Sequence, residues 1–163
     1  MRRSLTAVLA ADVVGYSRLM GADADGTLAA LRQFRAEIFK PAVAAKRGRI
    51  VKSMGDGWVV TFGAAVDAVE CAMQVQDQTK TSSDLQLRFG VHLGDVAEED
   101  EDVFGDGVNI AVRLQELSDP GALAISGPTR DLLDSTRRLS FDDADLVAAL
   151  AESLQPVEDI LFF

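Results

Sequence analysis

Cysteine is nearly absent from this sequence, and long apolar runs are missing altogether. The 163 residues include one cysteine, Cys71, so no disulfide can form within the chain. No run of about 18 apolar residues occurs, and we therefore expect no transmembrane helix. Basic residues are also few, since 16 Lys and Arg face 26 Asp and Glu, a net charge of −10. This excess of negative charge argues against a nucleic-acid or anionic-membrane surface, because polyanions would be repelled.

Apolar residues, by contrast, are plentiful enough for a core. They make up 48% of the chain, and the length fits one ordinary domain covering residues 1–163. We find no internal repeat, low-complexity tract or linker. The composition predicts a soluble domain, with the cytoplasm as its expected location.

The pattern of apolar residues predicts alternating strands and helices. A strand over 4–14 precedes a helical pattern over about 27–45, in which Pro41 suggests a kink or a late break. Two β-rich runs around Gly55-Asp56-Gly57 predict a hairpin. The remaining predicted elements are helices over about 64–79, 107–117 and 128–135 and strands over 85–97, 121–126 and 137–141. The opening order β-α-β-β-α-β predicts an α+β fold of the ferredoxin-like, split β-α-β type: an antiparallel sheet with helices on one face, followed by a C-terminal α/β extension.

Two carboxylates are predicted to meet at one end of this sheet. Asp12 ends the first strand and Asp56 lies at the hairpin tip, next to that strand in the predicted topology. Two neighbouring carboxylates repel each other unless a cation lies between them, and Mg²⁺ takes one or two carboxylates together with phosphate oxygens. Gly15, in the turn before a helix, would leave backbone N–H groups free for a polyphosphate. The alternative is a simple hairpin turn and an unrelated aspartate.

Other polar and aromatic features are predicted to be structural. We expect Cys71 to be a core residue, Trp58 a core or interface residue, and His92 a structural residue of its strand. The acidic run over residues 98–102 is typical of a solvated loop.

Four segments together resemble the class III nucleotide cyclases, the adenylate/guanylate cyclase catalytic domain, and especially its bacterial adenylate cyclase forms. They are "LAADVVGYSRLM", "GRIVKSMGDGWVVTF", "FGVHLGDV" and "DVFGDGVNIAVRL". The resemblance covers about residues 4–130 in order and with the family's spacing, and weakens beyond about 135. It implies conversion of ATP to 3′,5′-cyclic AMP and pyrophosphate with two Mg²⁺ or Mn²⁺ ions per site.

The resemblance also implies roles for particular residues. Asp12, Asp56 and the main-chain carbonyl of Val13 match the family's metal ligands, and Lys52 and Asp102 match its base-recognition pair. The matching residues for ribose orientation, transition-state stabilisation and the triphosphate turn are, in that order, Asn109, Arg113, and Gly15 with Tyr16 and Ser17. Lys52 donates only and ionised Asp102 accepts only, which suits the adenine edge and not the guanine edge.

The family builds its sites between two chains in a head-to-tail dimer, and this chain carries both half-sites. A homodimer with C2 symmetry is therefore expected. One departure from the family weakens the expectation of activity: the lysine that usually reaches the triphosphate near the C-terminus is missing, and no Lys or Arg follows Arg138. Arg137 or Arg138 is a possible substitute. Two alternatives to an active adenylate cyclase remain open, a weak or inactive cyclase-homology domain that binds nucleotide or a partner, and a guanylate cyclase.

Overall fold

A computed structural model of the chain describes residues 2–82, 84–136 and 160–162. The predicted strand 137–141 lies outside the described residues. So does the amphipathic helix that the four-residue spacing of Leu146, Leu150 and Leu154 predicts. The strands are β1 (Arg2–Val13), β2 (Arg49–Met54), β3 (Gly57–Phe62), β4 (Leu87–Glu99), β5 (Asp102–Phe104), β6 (Leu123–Ser126) and β7 (Ile160–Phe162). The helices are α1 (Tyr16–Ala22), α2 (Ala24–Phe34), α3 (Lys40–Ala45), α4 (Ala65–Ser82), α5 (Asp106–Leu117) and α6 (Gly127–Thr136).

The strands form one sheet with β1 at its centre. The order is β2-β3-β1-β4-β6-β7, and β5 pairs with β4 away from this path. β1 is antiparallel to both β3 and β4, and only the β4–β6 pair among the described strands is parallel. The order β2-β3-β1-β4 is that of the split β-α-β arrangement, which confirms the predicted fold class.

Side chains of β1 alternate between two apolar layers, so the central strand is buried on both faces. Leu9 and Ala11 face the larger cluster, which includes residues of α2, α3 and α4, as expected for helices packed on that face. Val8 and Ala10 face a second cluster that contains Val108 and Ala111 of α5. α5, which follows the split β-α-β unit, therefore packs against the opposite face of the sheet.

The helix predicted over 27–45 is interrupted by a π-helical turn. This turn covers Arg35–Phe39, and the N–H of Lys40 donates to the carbonyl of Arg35 five residues earlier. Pro41 follows at once in the first turn of α3, where a missing N–H is tolerated. The chain thus accommodates Pro41 without ending the helical path.

The acidic run forms a tight hairpin instead of the predicted loop. β4 extends to Glu99, which pairs with Asp102 of β5, and Asp100 and Glu101 make the turn. Val103 of β5 is buried in the same cluster as Val59 of β3, so the hairpin returns over the α5 face of the sheet. Among the described residues, no helix has the length and apolar character needed to cross a membrane.

Candidate active site

The hairpin tip is held against the end of β1. Asp12 is the cross-strand partner of Gly57, and the backbone N–H of Val13 donates to the carbonyl of Asp56 at 3.0 Å. Gly55 begins the turn with φ 56°, a left-handed conformation that glycine adopts at little cost. The structure therefore brings the two predicted carboxylates, Asp12 and Asp56, to one end of the sheet.

The carboxylate of Asp12 lies in a partly buried environment that penalises its charge. Burial raises the pKa of Asp12 and is the largest effect, Arg88 opposes it, and the nearby charges of Asp56 and Glu116 raise the pKa further. The Oδ1 atom of Asp12 is buried and accepts no hydrogen bond within the described residues. A cation bound at this end of the sheet would offset the repulsion between Asp12 and Asp56 and would give Asp12 Oδ1 a partner.

The donor set suits a hard divalent cation completed by phosphate. Two carboxylates and a main-chain carbonyl are all-oxygen ligands, as Mg²⁺ and Mn²⁺ prefer. No group of three or more His, Cys, Asp or Glu in the described part of the chain forms a self-sufficient metal site. Mg²⁺ is usually bound by one or two carboxylates and keeps its other positions for water and phosphate, so Asp12 and Asp56 fit an ion that takes further ligands from its substrate or from water.

Two residues that the sequence did not single out lie beside Asp12. Arg88 on β4 is its direct cross-strand partner, with Arg88 Nε 3.6 Å from Asp12 Oδ1. Gln115 of α5 lies close enough to lower the pKa of Asp12, against the larger effect of burial. Strand alternation predicts that Arg88 lies on the other face of β4 from its neighbours Leu87 and Phe89. Only the register between β1 and β4 shows that it lies beside Asp12.

The predicted base-recognition pair is brought together within one chain. Lys52 on β2 and Asp102 on β5 form an ion pair with 3.5 Å between Nζ and Oδ1. Their approach depends on the folded-over hairpin, which a second ion pair between Arg49 and Glu98 also ties to β2. Oδ1 of Asp102 also accepts the N–H of Val103 at 2.8 Å, which fixes the carboxylate at the start of β5.

Asn109 and Arg113 point away from the sheet. α5 buries Gly107, Val108 and Ala111, whereas Asn109 and Arg113 are both exposed. The structure therefore places these two residues on one exposed helical face, as their spacing predicts, and does not bring them to Asp12 and Asp56.

The three predicted triphosphate-binding residues lie in the turn after β1 and at the start of α1. Gly15 adopts φ 68° and precedes α1, which begins with Tyr16 and Ser17. Arg18 folds back over this turn. A Cβ built on Gly15 would lie only 3.1 Å from Arg18 Nη2. A guanidinium group thus lies at the turn, a cation that the sequence pattern did not reveal.

The adenylate and guanylate cyclase catalytic domain model matches residues 2–149 of this chain. The chain belongs to that family. This cyclase domain is 44% identical over 151 residues to "Putative adenylate cyclase 3" of Rhizobium meliloti, and 30% identical over 135 residues to "Adenylate cyclase" of Streptomyces coelicolor. These matches cover 88% and 82% of the chain but 26% and 35% of the relatives, so the cyclase domain spans about a third of their length or less.

Solved structures give the same assignment. The adenylate/guanylate cyclase/hydrolase from Silicibacter pomeroyi is 38% identical with a TM-score of 0.77, and the match covers 83% of each chain. The guanylate cyclase domain of RhGC from Catenaria anguillulae, solved with GTP, is 21% identical with a TM-score of 0.73, over 82% of this chain and 84% of that one. At that identity the second likeness supports the fold alone.

Proposed function

We propose that this cyclase domain is an adenylate cyclase, which converts ATP to 3′,5′-cyclic AMP and pyrophosphate. The ion pair of Lys52 and Asp102 carries the choice of base. An ammonium donates only and a carboxylate accepts only. Adenine presents an acceptor at N1 beside a donor at its 6-amino group, and guanine presents the reverse pattern. The names of two relatives as adenylate cyclases are in line with this choice.

Asp12, Asp56 and the carbonyl of Val13 would hold two Mg²⁺ or Mn²⁺ ions. Such ions, when bound, lower the pKa of the ribose 3′-hydroxyl and neutralise charge on the triphosphate. The unused Oδ1 acceptor of Asp12 and the neighbouring Asp56 charge support this assignment.

The remaining residues act on the nucleotide itself. In the reaction the 3′-oxygen loses its proton and bonds to the α-phosphorus, while the bond to the β-phosphate oxygen breaks and pyrophosphate leaves. Asn109 orients the ribose, and the guanidinium of Arg113 stabilises the charge that develops on the α-phosphoryl group. The backbone of Gly15, Tyr16 and Ser17 contacts the triphosphate.

Completion of the site requires a second copy of the chain. Asn109 and Arg113 are exposed on α5 and face away from the sheet that holds Asp12. In a head-to-tail homodimer with C2 symmetry, each active site takes Asp12 and Asp56 from one protomer. The partner then supplies its own copies of the base, ribose and transition-state residues.

One observation favours a catalytically weak domain as the second candidate. The family's C-terminal phosphate-binding lysine has no counterpart, because no Lys or Arg follows Arg138 in the sequence. Arg18 at the Gly15 turn is a cation that can take over part of that contact.

Product analysis tests the proposal directly. The purified chain is incubated with ATP or GTP and with Mg²⁺ or Mn²⁺, and the products are separated by chromatography. We expect cyclic AMP as the main product. An excess of cyclic GMP would show that the domain is a guanylate cyclase. Nucleotide binding without either cyclic product would show that it is the weak or inactive domain.

A further inference from the structure

Phe104 is a large apolar side chain with an unusual position next to the base-recognition pair. The residue is 48% exposed, although it lies in a strand. Val103, its neighbour, is fully buried in the core beneath β5. Because side chains alternate along a strand, Phe104 and Asp102 project from the same face of β5, away from that core.

The ring of Phe104 is in contact with Lys52. The Lys52 ammonium lies over the ring face, 5.5 Å from its centroid, and 3.5 Å from Asp102 Oδ1. A cation within about 6 Å of an aromatic centroid is attracted by the negative face of the ring. Lys52 is thus held from two sides, by a carboxylate and by an aromatic face.

The backbone keeps the ring in this place. Phe104 pairs with Ala97 of β4, so its Cα position is set by the β4–β5 ladder. Gly105 follows with φ 114°, and a Cβ at that position would lie 3.2 Å from the carbonyl of Asp95. The positive φ of Gly105 and its close approach to β4 therefore fix the backbone directly after Phe104.

We propose that Phe104 is a positioning residue for base selection, whose ring holds the Lys52 ammonium beside Asp102 at the adenine edge. This inference rests on the proposed adenylate cyclase activity. A lysine side chain has many rotamers, and an ammonium that samples several positions can donate to guanine O6 as well as to adenine N1. Holding Lys52 and Asp102 in adjacent positions is what makes their donor–acceptor order selective.

The test compares the ratio of kcat/KM for ATP to that for GTP in matched variants. Phe104→Leu keeps an apolar side chain but removes the ring, and we expect the ratio to fall ~2- to 5-fold, the size of an exposed cation–π contact. Phe104→Tyr keeps the ring face and should retain the wild-type ratio. Leu5→Ala is the control, because Leu5 is apolar and 65% exposed. By strand alternation it lies on the same face of the sheet as Leu9, whereas Lys52 pairs with Val59 on the other face.

A further variant separates charge from shape. Pentafluorophenylalanine at position 104 keeps the size of the ring but reverses the polarity of its face. It should behave like Phe104→Leu. A wild-type ratio in this variant, or an equal loss of kcat/KM for ATP and GTP in Phe104→Leu, would overturn the proposal, because the ring would then act through packing or general substrate contact.

A readout independent of activity distinguishes this proposal from the proposed function. The Hε protons of Lys52 should show a ring-current shift by NMR that disappears in Phe104→Leu. Its persistence there would refute the Phe104–Lys52 contact. Lys52→Met should lower the ATP-to-GTP ratio by more than Phe104→Leu does. If the ring-current shift behaves as expected but Lys52→Met leaves the ratio unchanged, base reading by Lys52 is wrong, and the role of Phe104 in selection is wrong with it.

Discussion

The chemistry of Asp12 depends on how its neighbours balance its charge. Burial and the charge of Asp56 disfavour the ionised form, and Arg88 favours it. Arg88 is only 3.6 Å away, yet neither Arg88 Nε nor Asp12 Oδ1 has a hydrogen-bond partner in the described part of the chain. The charge of Asp12 is therefore only partly compensated, and a divalent cation is the natural complement.

Asp12→Asn and Asp56→Asn should each weaken Mn²⁺ binding while the fold survives. Loss of a residue that merely orients a metal ligand costs about 10- to 100-fold in affinity, so loss of a ligand should cost at least ~10-fold. Titration calorimetry with Mn²⁺ and an ATP analogue that cannot cyclise measures the affinity without turnover. Asp77→Asn, which removes an exposed carboxylate of α4, is the control. Undiminished Mn²⁺ affinity in either variant would remove that aspartate from the metal site.

His92 is the single histidine of the sequence. It is buried and hydrogen-bonded within the fold. Its side chain is 8% exposed, and Nδ1 lies 2.6 Å from the hydroxyl of Ser126. Ser126 in turn hydrogen-bonds Thr129, which accepts the N–H of Leu93. A consistent direction along this chain has Thr129 donating to Ser126 and Ser126 donating to a neutral His92.

Stability should fall as the pH drops below the ordinary pKa of histidine. Burial lowers the pKa of His92 from 6.5, so the unfolded chain takes up the proton first. The free energy of unfolding should therefore decrease as pH falls through about 6.5 and level off below the folded-state pKa, with a slope of at most ~1.4 kcal/mol per pH unit. Urea unfolding of wild type and His92→Gln between pH 5 and pH 8 isolates this contribution. Parallel curves for the two proteins would contradict it.

Among the elements, the β4–β5 hairpin contains a strained turn next to a predicted site residue. Asp100 and Glu101 have φ 49° and 66°, a pair of left-handed residues in a two-residue turn. Such turns favour Asn-Gly or Asp-Gly, because side chains other than Asn and Asp disfavour this conformation. The strain lies directly before Asp102.

Glu101→Gly should stabilise the protein. The left-handed conformation costs roughly 1–2 kcal/mol for an ordinary residue, and the extra freedom of glycine in the unfolded chain offsets about 0.5–1 kcal/mol, so a net gain of about 0.5–1 kcal/mol is expected. Denaturant unfolding measures this gain. Glu99→Gly, in the extended end of β4, should instead destabilise by about 0.5–1 kcal/mol. A loss of stability in Glu101→Gly would show that the turn is not strained.

α5 lies so close to β4 that only glycine fits between them. A Cβ on Gly90 would lie 2.3 Å from the carbonyl oxygen of Ala111 and 2.5 Å from the backbone nitrogen of Gln115. These are backbone atoms, so relief requires α5 to move as a body. The position of Asn109 and Arg113 thus depends on a missing side chain on β4.

Gly90→Ala should destabilise the protein by about 1–3 kcal/mol, the usual cost of overpacking. Gly21→Ala is the matched control, since a Cβ at that position in α1 meets nothing within 4 Å. Its expected effect is a gain of up to about 1 kcal/mol, because alanine is the better helix former. Equal thermal midpoints for the two variants would contradict the close approach of α5.

At the scale of the whole molecule, the predicted metal ligands and the predicted catalytic residues of α5 belong to different parts of the fold. Asp12 lies at the end of the sheet, and Arg113 lies on the exposed side of α5. We propose that two chains complete each other's active sites. This arrangement can be tested without a structure of the dimer.

A mixed dimer of an Asp56→Ala chain and an Arg113→Ala chain should regain activity. Each variant alone should lose at least ~100-fold in turnover, by analogy with removal of a transition-state donor. In a mixed dimer one site collects both changes and the other collects none. With free exchange about half of the dimers are mixed, so recovery should approach roughly a quarter of the wild-type rate. Co-expression with two affinity tags isolates the mixed dimer. If that species is as inactive as the single variants, the site is not shared between chains.

Local patterns determined much of this protein from the sequence alone. Hydrophobic alternation and turn residues predicted the split β-α-β order, and the Gly-Asp-Gly punctuation predicted the hairpin that presents Asp56. These features depend on residues within one or two turns of the chain, so short windows of sequence specify them. The aspartates and the α5 residues were selected by motif, and their catalytic roles stay predictions.

Tertiary structure decided which side chains meet. The neighbour of Asp12 is Arg88, 76 positions away, because the register of β1 with β4 places them opposite each other. Lys52 reaches Asp102 and Phe104 only because the β4–β5 hairpin folds over the sheet with Val103 in its core. Strand register and the path of a folded-over hairpin are set by packing between distant segments. A one-residue change of register would turn every one of these side chains to the other face.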